Sequence, residues 1–389
     1  MIAIKNGRIV TPKGIIENKV LLIDKDRLAG FGEETNRAER VVDAHARYII
    51  PGLIDTHSDN IEKFIQPRPT SQMDFEFALK VCERDLLGAG ITTMYHSVAL
   101  YQDEFFGKSP LRTKENVLRF ADLVTNIHLR SHLMHHRIHL RLEIDNLRAF
   151  EIVRDMIEQG KIHQLSFMDH TPGQGQYRDL GVYYDTVVKH NGKEIGTLGF
   201  AGVVEHHQNK PTLAFEQLKE LARLAHANGI AVASHDDDTK TKLAINQNIG
   251  VDISEFPVTL EVAKSAKNKG FYTVVGAPNV LRGNSHSGNM SAAEAILEDC
   301  ADILCSDYYP ATILHSIFHM HLKHNVPLSR MVNMATLNPA KATKSDQDYG
   351  SIEIGKKADL LIVELLDGYP VITHVLVDGN VISRVEYRR

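Results

Sequence analysis

The chain has 389 residues, of which 43% are hydrophobic, and a formal net charge of −5. A chain of this size can bury a large core, and the absence of a long Lys/Arg run argues against nucleic acid or an anionic membrane as the main partner. No apolar run approaches the roughly 18 residues of a membrane span, and the start lacks the pattern of a signal peptide. We therefore expect a cytoplasmic enzyme with no membrane partner. The sequence leaves a homo-oligomer open.

The two ends of the chain carry similar patterns. Residues 4–10 and 376–382 each place a turn, Asn6-Gly7 or Asp378-Gly379, between two apolar stretches. This pattern is typical of β-hairpins, and we expect the two ends to pair. Residues 1–50 together with 350–389 are predicted to form a small β-sandwich, and residues 51–349 a second domain.

The middle of the chain alternates short apolar strands with amphipathic helices, which predicts parallel strands covered by helices. Eight strands are expected to end near His57, His96, Glu143, Asp169, His235, Glu255, Gly276 and Asp307. All of these residues except Gly276 can bind metal or move protons. In a (β/α)₈ TIM barrel the carboxyl ends of all eight strands meet on one face, whereas a doubly wound open sheet, the alternative, would not gather strands one, five and eight. The α/β barrel is therefore predicted. Two of its helices are expected to begin after the N-cap hydroxyls of Thr259 and Ser291.

The first barrel strand ends in His57-Ser58-Asp59. Side chains two residues apart on a strand share a face, so His57 and Asp59 can reach one ion. We interpret this pair as part of a metal site.

Three segments resemble the amidohydrolase superfamily, whose members insert a metal-bearing (β/α)₈ barrel between the halves of a small β-sandwich. They are PGLIDTH at 51–57, ATLNPAKA at 335–342 and GSIEIGKKADL at 350–360. The superfamily usually carries His-x-His on the first strand, whereas this chain has Asp59 at the second position.

Longer segments resemble one branch of that superfamily, the PhnM family of phosphonate metabolism. They are HSDNIEK at 57–63, QPRP at 66–69, MDHTPGQ at 168–174, GAPNVLRGNSHSGN at 276–289 and SDYYP at 306–310. The resemblance implies a metal-dependent diphosphatase of the C–P lyase pathway. It would cleave α-D-ribose 1-methylphosphonate 5-triphosphate to the 5-phosphate and diphosphate.

The resemblance also implies a set of metal ligands. His57, Asp59 and His235 are assigned to the metal, with Glu143 or Asp169 in the bridging position. Asp307 is expected to bind metal and to act as the general base. One or two divalent ions, Zn, Mn or similar, would lower the pKa of a bound water from 15.7 to about 7 and provide hydroxide for the attack.

An anionic sugar-triphosphate substrate also requires hydrogen-bond donors. The predicted substrate-binding residues are Lys63, Arg68, His170, Arg282 and His286. The long glycine-containing segment 170–212 is a candidate lid. His96 is expected to contact substrate directly or through a ligand, and His135, His136, His206 and His207 are expected at the surface.

Two other classes of function remain open. The same hydroxide can attack a C–N bond, as in amidohydrolase-type deaminases, cyclic amidases and deacetylases. A non-enzymatic assembly protein on this scaffold is the third class, although such proteins usually lack intact ligands.

Overall fold

The computed structural model describes residues 1–35, 38–100, 110–181, 183–185, 199–283 and 289–388. These residues form three β-sheets of four, eight and six strands. No helix in these ranges combines the length and the apolar character needed to cross a bilayer. The eight-stranded sheet forms a barrel, and the other two sheets form a β-rich domain.

The first seven strands belong to the β-rich domain. They are β1 (Ile2–Lys5), β2 (Arg8–Thr11), β3 (Gly14–Ile16), β4 (Val20–Asp24), β5 (Arg27–Gly32), β6 (Arg40–Asp43) and β7 (Tyr48–Pro51). Strand β1 pairs with β4 and β6, whereas β2 pairs with β3 and β7 in the other sheet. The Asn6-Gly7 turn therefore connects two sheets, and the hairpin predicted there is wrong.

The next eight strands form the barrel, and neighbouring strands run parallel. They are β8 (Leu53–Ser58), β9 (Ile91–Leu100), β10 (His135–Glu143), β11 (Gln164–Met168), β12 (Ala231–His235), β13 (Ile253–Glu255), β14 (Tyr272–Gly276) and β15 (Ile303–Cys305). A parallel bridge between Ser58 and Asp307 links the first strand to the end of the last. The predicted (β/α)₈ barrel is confirmed. Strand β9 continues to Leu100, so His96 lies within it rather than at its end.

The last three strands return to the β-rich domain. They are β16 (Leu360–Leu366), β17 (Tyr369–Val377) and β18 (Asn380–Arg384). Strand β16 pairs antiparallel with β7, so both ends of the chain contribute to one sheet. Strands β17 and β18 form a hairpin around Asp378-Gly379. The domain boundaries at 50/51 and 349/350 stay a prediction.

Helices cover the barrel and connect its strands. Those of the described residues are Ile61–Ile65, Phe75–Gly88, Lys114–Thr125, Ala149–Glu158, Gly199–Gln208, Phe215–Ala227, Lys240–Ile249, Leu260–Asn268, Ala277–Arg282, Ala292–Leu297, Thr312–His324, Leu328–Met334 and Leu337–Ala342. The predicted N-caps are confirmed, because Thr259 Oγ1 and Ser291 Oγ accept hydrogen bonds from the backbone N–H groups of Val262 and Glu294. The caps satisfy N–H groups that would otherwise lack partners.

Two buried cores hold this arrangement together. The larger core joins the barrel strands to the helices through side chains such as Leu86, Phe120 and Ile317. The smaller core packs Leu21 and Ile362 between the sheets of the β-rich domain. Removal of this apolar surface from water is the main stabilising contribution to both domains. The barrel is thereby held as a rigid support for the residues at its strand ends.

Candidate metal centre

A pocket of about 210 Å³ lies at the carboxyl ends of the barrel strands. Its polar lining comprises the side chains of His57, Asp59, Arg141, His235, Asp236 and Asp307, together with two asparagines. Strands one, five and eight therefore bring four of the predicted metal ligands to one place. Phe256, Val275 and Met290 supply apolar surface to the same pocket.

His57 is held in one orientation by a buried glutamate. Its Nδ1 lies 3.0 Å from Glu255 Oε1, and Glu255 also accepts hydrogen bonds from Gln164 Nε2 at 3.1 Å and Ser166 Oγ at 2.9 Å. Burial alone would raise the pKa of Glu255, but the facing His57 and His139 and the hydrogen bond with His57 hold it well below its ordinary value. Glu255 is thus ionised and accepts the Nδ1 proton of His57. Nε2 of His57 is left to bind a metal.

His235 is oriented in the same way by its neighbour. Its Nδ1 lies 2.8 Å from Asp236 Oδ2, and its ring centroid is 5.3 Å from that of His57. Burial lowers the pKa of His235 despite the opposing attraction to Asp236. The imidazole is therefore neutral at pH 7, which is the form that binds metal. The two imidazole rings therefore lie side by side in the wall of the pocket.

Asp59 and Asp307 lie at the seam where the barrel closes. The Asp59 N–H donates to the Asp307 carbonyl at 3.1 Å, and the Asp307 N–H donates to the His57 carbonyl at 3.0 Å. Below them, Asp55 Oδ1 accepts from the backbone N–H groups of Ser306 at 3.1 Å and His57 at 3.3 Å. Burial raises the pKa of Asp55 to about 6. Hydrogen bonds across the seam thus fix the positions of three predicted ligands.

Strained backbone surrounds the same pocket. Asp236, Phe256 and Asp307 follow their strands with φ of 52°, 55° and 56°. Non-glycine residues rarely adopt this left-handed conformation, and a bulky residue such as Phe256 does so at a cost of about 1–3 kcal/mol. Such strain is concentrated at functional sites, where the surrounding structure maintains it.

The two candidates for the bridging position have different surroundings. Glu143 is buried, and its Oε1 lies 2.7 Å from His170 Nδ1, while the His170 ring centroid is 6.4 Å from that of His235. Burial lowers the pKa of His170, but Glu143 outweighs this effect and raises it above its ordinary value. Asp169 instead accepts from the Thr171 N–H at 3.1 Å and Gln174 Nε2 at 2.6 Å. The contact of Glu143 with His170, which lies beside His235, favours Glu143 for the bridging position. The assignment of either residue to the metal stays a prediction.

The predicted basic residues lie outside the pocket lining. Lys63 is exposed and donates to the carbonyl of Tyr308, which follows Asp307. Arg68 and Arg282 are exposed and do not line the pocket. His286 lies outside the described residues. The substrate-binding roles of these four residues stay predictions.

Arg141 lines the pocket but was not among the predicted site residues. It lies on β10 two residues before Glu143 and therefore shares its face. Since side chains two residues apart on a strand share a face, counting back two residues from Glu143 would have identified Arg141.

The candidate lid, 170–212, is only partly described. The ring centroid of Tyr177 lies 5.7 Å from that of His170, and the Gly175 N–H donates to Asp238 Oδ2 at 2.8 Å. Tyr183 packs on Tyr177 with a centroid separation of 5.1 Å. The described part therefore contacts the wall of the metal centre, and closure over it stays a prediction.

Several histidines are buried in the core and do not line the pocket. His96 Nε2 lies 2.9 Å from His136 Nδ1, and His136 Nε2 lies 3.3 Å from Glu83 Oε2. His96 also packs against Phe120 of the helix layer, so its side chain is directed away from the pocket. The surface location predicted for His136 and His207 is wrong, because they are only 2% and 7% exposed. Their hydrogen-bonding partners are distant in sequence, which adjacency along the chain does not show.

Comparisons with known proteins first define the class. The model of the amidohydrolase family matches residues 202–384. An amidohydrolase of known structure superposes with a TM-score of 0.67 at 16% identity, covering 100% of both chains. N-acetylglucosamine-6-phosphate deacetylase from Pasteurella multocida superposes with a TM-score of 0.64 at 13% identity, covering 97% of this chain and 98% of that one. The two solved structures share the fold of this chain, and the family match together with the barrel indicates an amidohydrolase-type protein.

A more similar relative narrows the class. The α-D-ribose 1-methylphosphonate 5-triphosphate diphosphatase of Escherichia coli K12 is 32% identical over 379 residues, which cover 95% of this chain and 98% of that protein. The imidazolonepropionase of Brevibacillus brevis is 23% identical over 385 residues, covering 94% and 85%. The chain belongs to the PhnM family of the amidohydrolase superfamily. It is a metal-dependent hydrolase.

Proposed function

We propose that the protein hydrolyses α-D-ribose 1-methylphosphonate 5-triphosphate to the 5-phosphate and diphosphate, as a step of the C–P lyase pathway of phosphonate degradation. The likeness to the Escherichia coli diphosphatase, which extends over 95% of the chain, is the observation that carries the proposal. A cytoplasmic location belongs to the proposal, and it is supported by three buried cysteines that are all free thiols.

The donor set supports a divalent ion at the centre. His57 and His235 each have Nδ1 engaged by a carboxylate, so each can present Nε2 to the ion. The carboxylates of Asp59 and Asp307 line the same pocket. Mixed imidazole and carboxylate ligands suit Zn or Mn, and either is part of the proposal. When bound, such an ion lowers the pKa of water and neutralises charge on a phosphoryl group.

The chain's own residues would then orient the reactants and move the proton. Asp307 accepts the proton of the attacking water, because it lies at the pocket beside the ligands of the first strand. His57 and His235 are held in their orientations by hydrogen bonds to Glu255 and Asp236. The apolar side chains of Phe256, Val275 and Met290 limit access of water to the site. Attack at phosphorus breaks the bond to the departing diphosphate, which leaves the 5-phosphate on ribose.

Phosphorus NMR of the substrate incubated with metal-loaded protein tests the proposal. The expected spectrum shows the triphosphate signals replaced by those of diphosphate and a 5-phosphate. Protein treated with a chelator should be inactive and should recover when Zn or Mn is returned. Release of ammonia or opening of a ring in a C–N substrate, with no diphosphate formed from the triphosphate, would support the alternative amidohydrolase reaction instead.

A further inference from the structure

Arg141 is the only Lys or Arg among the described residues that line the pocket. The other charged side chains there include three carboxylates, those of Asp59, Asp236 and Asp307. A divalent ion would be largely neutralised by such ligands. A substrate phosphoryl group in this pocket therefore needs a further positive charge, and Arg141 can supply it.

The surroundings of Arg141 leave it available to a ligand. Its Nε is buried, and no hydrogen-bond acceptor for this atom is found in the described part of the chain. Burying an N–H without an acceptor is destabilising, so a guanidinium held in this state is explained most simply by an anion that completes it. Guanidinium groups can bind two oxygens of a phosphate at once.

The position of Arg141 in the barrel also suits this role. Strand β10 lies three strands away from β15, which leads to Asp307. Arg141 therefore reaches the pocket from a different wall than the proton acceptor does. The next side chain on the same face, Glu143, contacts His170 Nδ1 through its Oε1 at 2.7 Å. A group bound between the walls would contact the metal ligands on one side and the guanidinium on the other.

We propose that Arg141 binds a non-bridging oxygen of the phosphoryl group held in the pocket, and thereby selects phosphoryl substrates over neutral amides. The inference rests on the proposed function and names the residue that recognises its substrate class. A neutral amide in the same position would bring no negative charge to the guanidinium, whose Nε is buried, and this disfavours that class of substrate. Arg141 donates hydrogen bonds throughout and transfers no proton.

The test compares Arg141→Met, which removes the charge at similar length, with Arg141→Lys, which keeps the charge but loses the planar fork. Arg137→Met is the matched control, because Arg137 lies four residues earlier on the same face of β10 and does not line the pocket. Each protein is loaded with metal, its metal content is measured, and its affinity for inorganic diphosphate is determined by calorimetry. Steady-state kinetics on the ribose triphosphate follow.

Arg141→Met is expected to bind diphosphate at least about tenfold more weakly, and kcat/KM should fall by roughly 10²–10³, as for loss of one donor to a developing negative charge. Arg141→Lys should be intermediate, and Arg137→Met should match the wild type. Added methylguanidinium should restore part of the activity of Arg141→Ala, which a purely structural role would not allow.

The role of Arg141 and the proposed reaction can be refuted independently of each other. If Arg141→Met keeps the wild-type metal content and melting temperature and also binds diphosphate with wild-type affinity, the role of Arg141 is overturned while the reaction stands. If the wild type releases no diphosphate from the ribose triphosphate, the proposed reaction is overturned. The calorimetric comparison still decides whether Arg141 is an anion-binding residue.

Discussion

Replacement of Glu255 by glutamine should weaken metal binding without removing a metal ligand. The carboxylate accepts the Nδ1 proton of His57 at 3.0 Å and also accepts from Gln164 and Ser166. In Glu255→Gln, one of the two oxygens becomes an NH₂ group. Either the NH₂ takes the Oε1 position, which faces His57 Nδ1–H and Gln164 Nε2, or it takes the Oε2 position, which faces Ser166 Oγ. The first arrangement opposes donors to a donor, and both remove the negative charge that accepts the Nδ1 proton of His57.

His57 can relieve the first arrangement only by moving its proton to Nε2. That nitrogen is then no longer free to bind the metal. Loss of a partner that orients a ligand typically costs 10- to 100-fold in metal affinity. At 1.36 kcal/mol per factor of ten, this corresponds to about 1.4–2.7 kcal/mol.

Titration calorimetry of chelator-treated protein with Zn or Mn measures the effect. Glu83→Gln is the matched control, because Glu83 is also buried and lies 3.3 Å from a histidine, His136, but outside the pocket. The control should bind metal as the wild type does. A folded Glu255→Gln protein with wild-type metal affinity would refute the orienting role of Glu255.

Asp307→Asn should abolish turnover. Its melting temperature should stay within a few degrees of the wild type, since the backbone hydrogen bonds of the seam do not need the carboxylate. Measurable turnover by the folded variant would contradict the role of Asp307 as base. Glu143→Gln should lower metal content more than Asp169→Asn, as measured by elemental analysis, because Asp169 is engaged by its own loop. A larger loss in Asp169→Asn would reverse the assignment. His163 accepts a hydrogen bond from the Ile138 N–H at 3.1 Å, and burial, with Arg137, lowers its pKa to about 3. The folded pKa lies below the unfolded value of about 6.5, so the unfolded state binds more protons between pH 6.5 and 3. Stability therefore falls as the pH falls through this window, by about 1.6 kcal/mol from pH 6.5 to 5. Urea unfolding at the two pH values should show this loss in the wild type and a smaller loss in His163→Asn.

Much of the barrel was readable from the sequence, because its signals are local. Strand ends at His57, Glu143, His235 and Glu255 follow from short apolar runs that stop at a polar residue. Parallel strands then bring such ends to one face, and the pocket contains His57 and His235 as expected.

The features that were predicted wrongly or not at all involve partners that are distant in the chain. The Asn6-Gly7 turn has a hairpin sequence, yet its strands pair with different sheets. Glu255 was predicted only as a strand-end residue, and the fold alone shows its hydrogen bond with His57, 198 residues away. Arg141 carries no motif, and its significance comes from a buried Nε beside a cluster of carboxylates. Sequence patterns identify which residues are polar at strand ends, whereas contacts decide what each of them does.

The seam of the barrel has a consequence for biosynthesis. Ser306 reaches back 251 positions along the chain to hydrogen-bond Asp55, and Asp307 lies against His57 and Asp59. A ribosome must therefore release about four-fifths of the polypeptide before both halves of the ion-binding pocket can meet. A nascent fragment that bound a cation earlier would lack the carboxylate of Asp307. We therefore expect metal loading to be a late event in maturation.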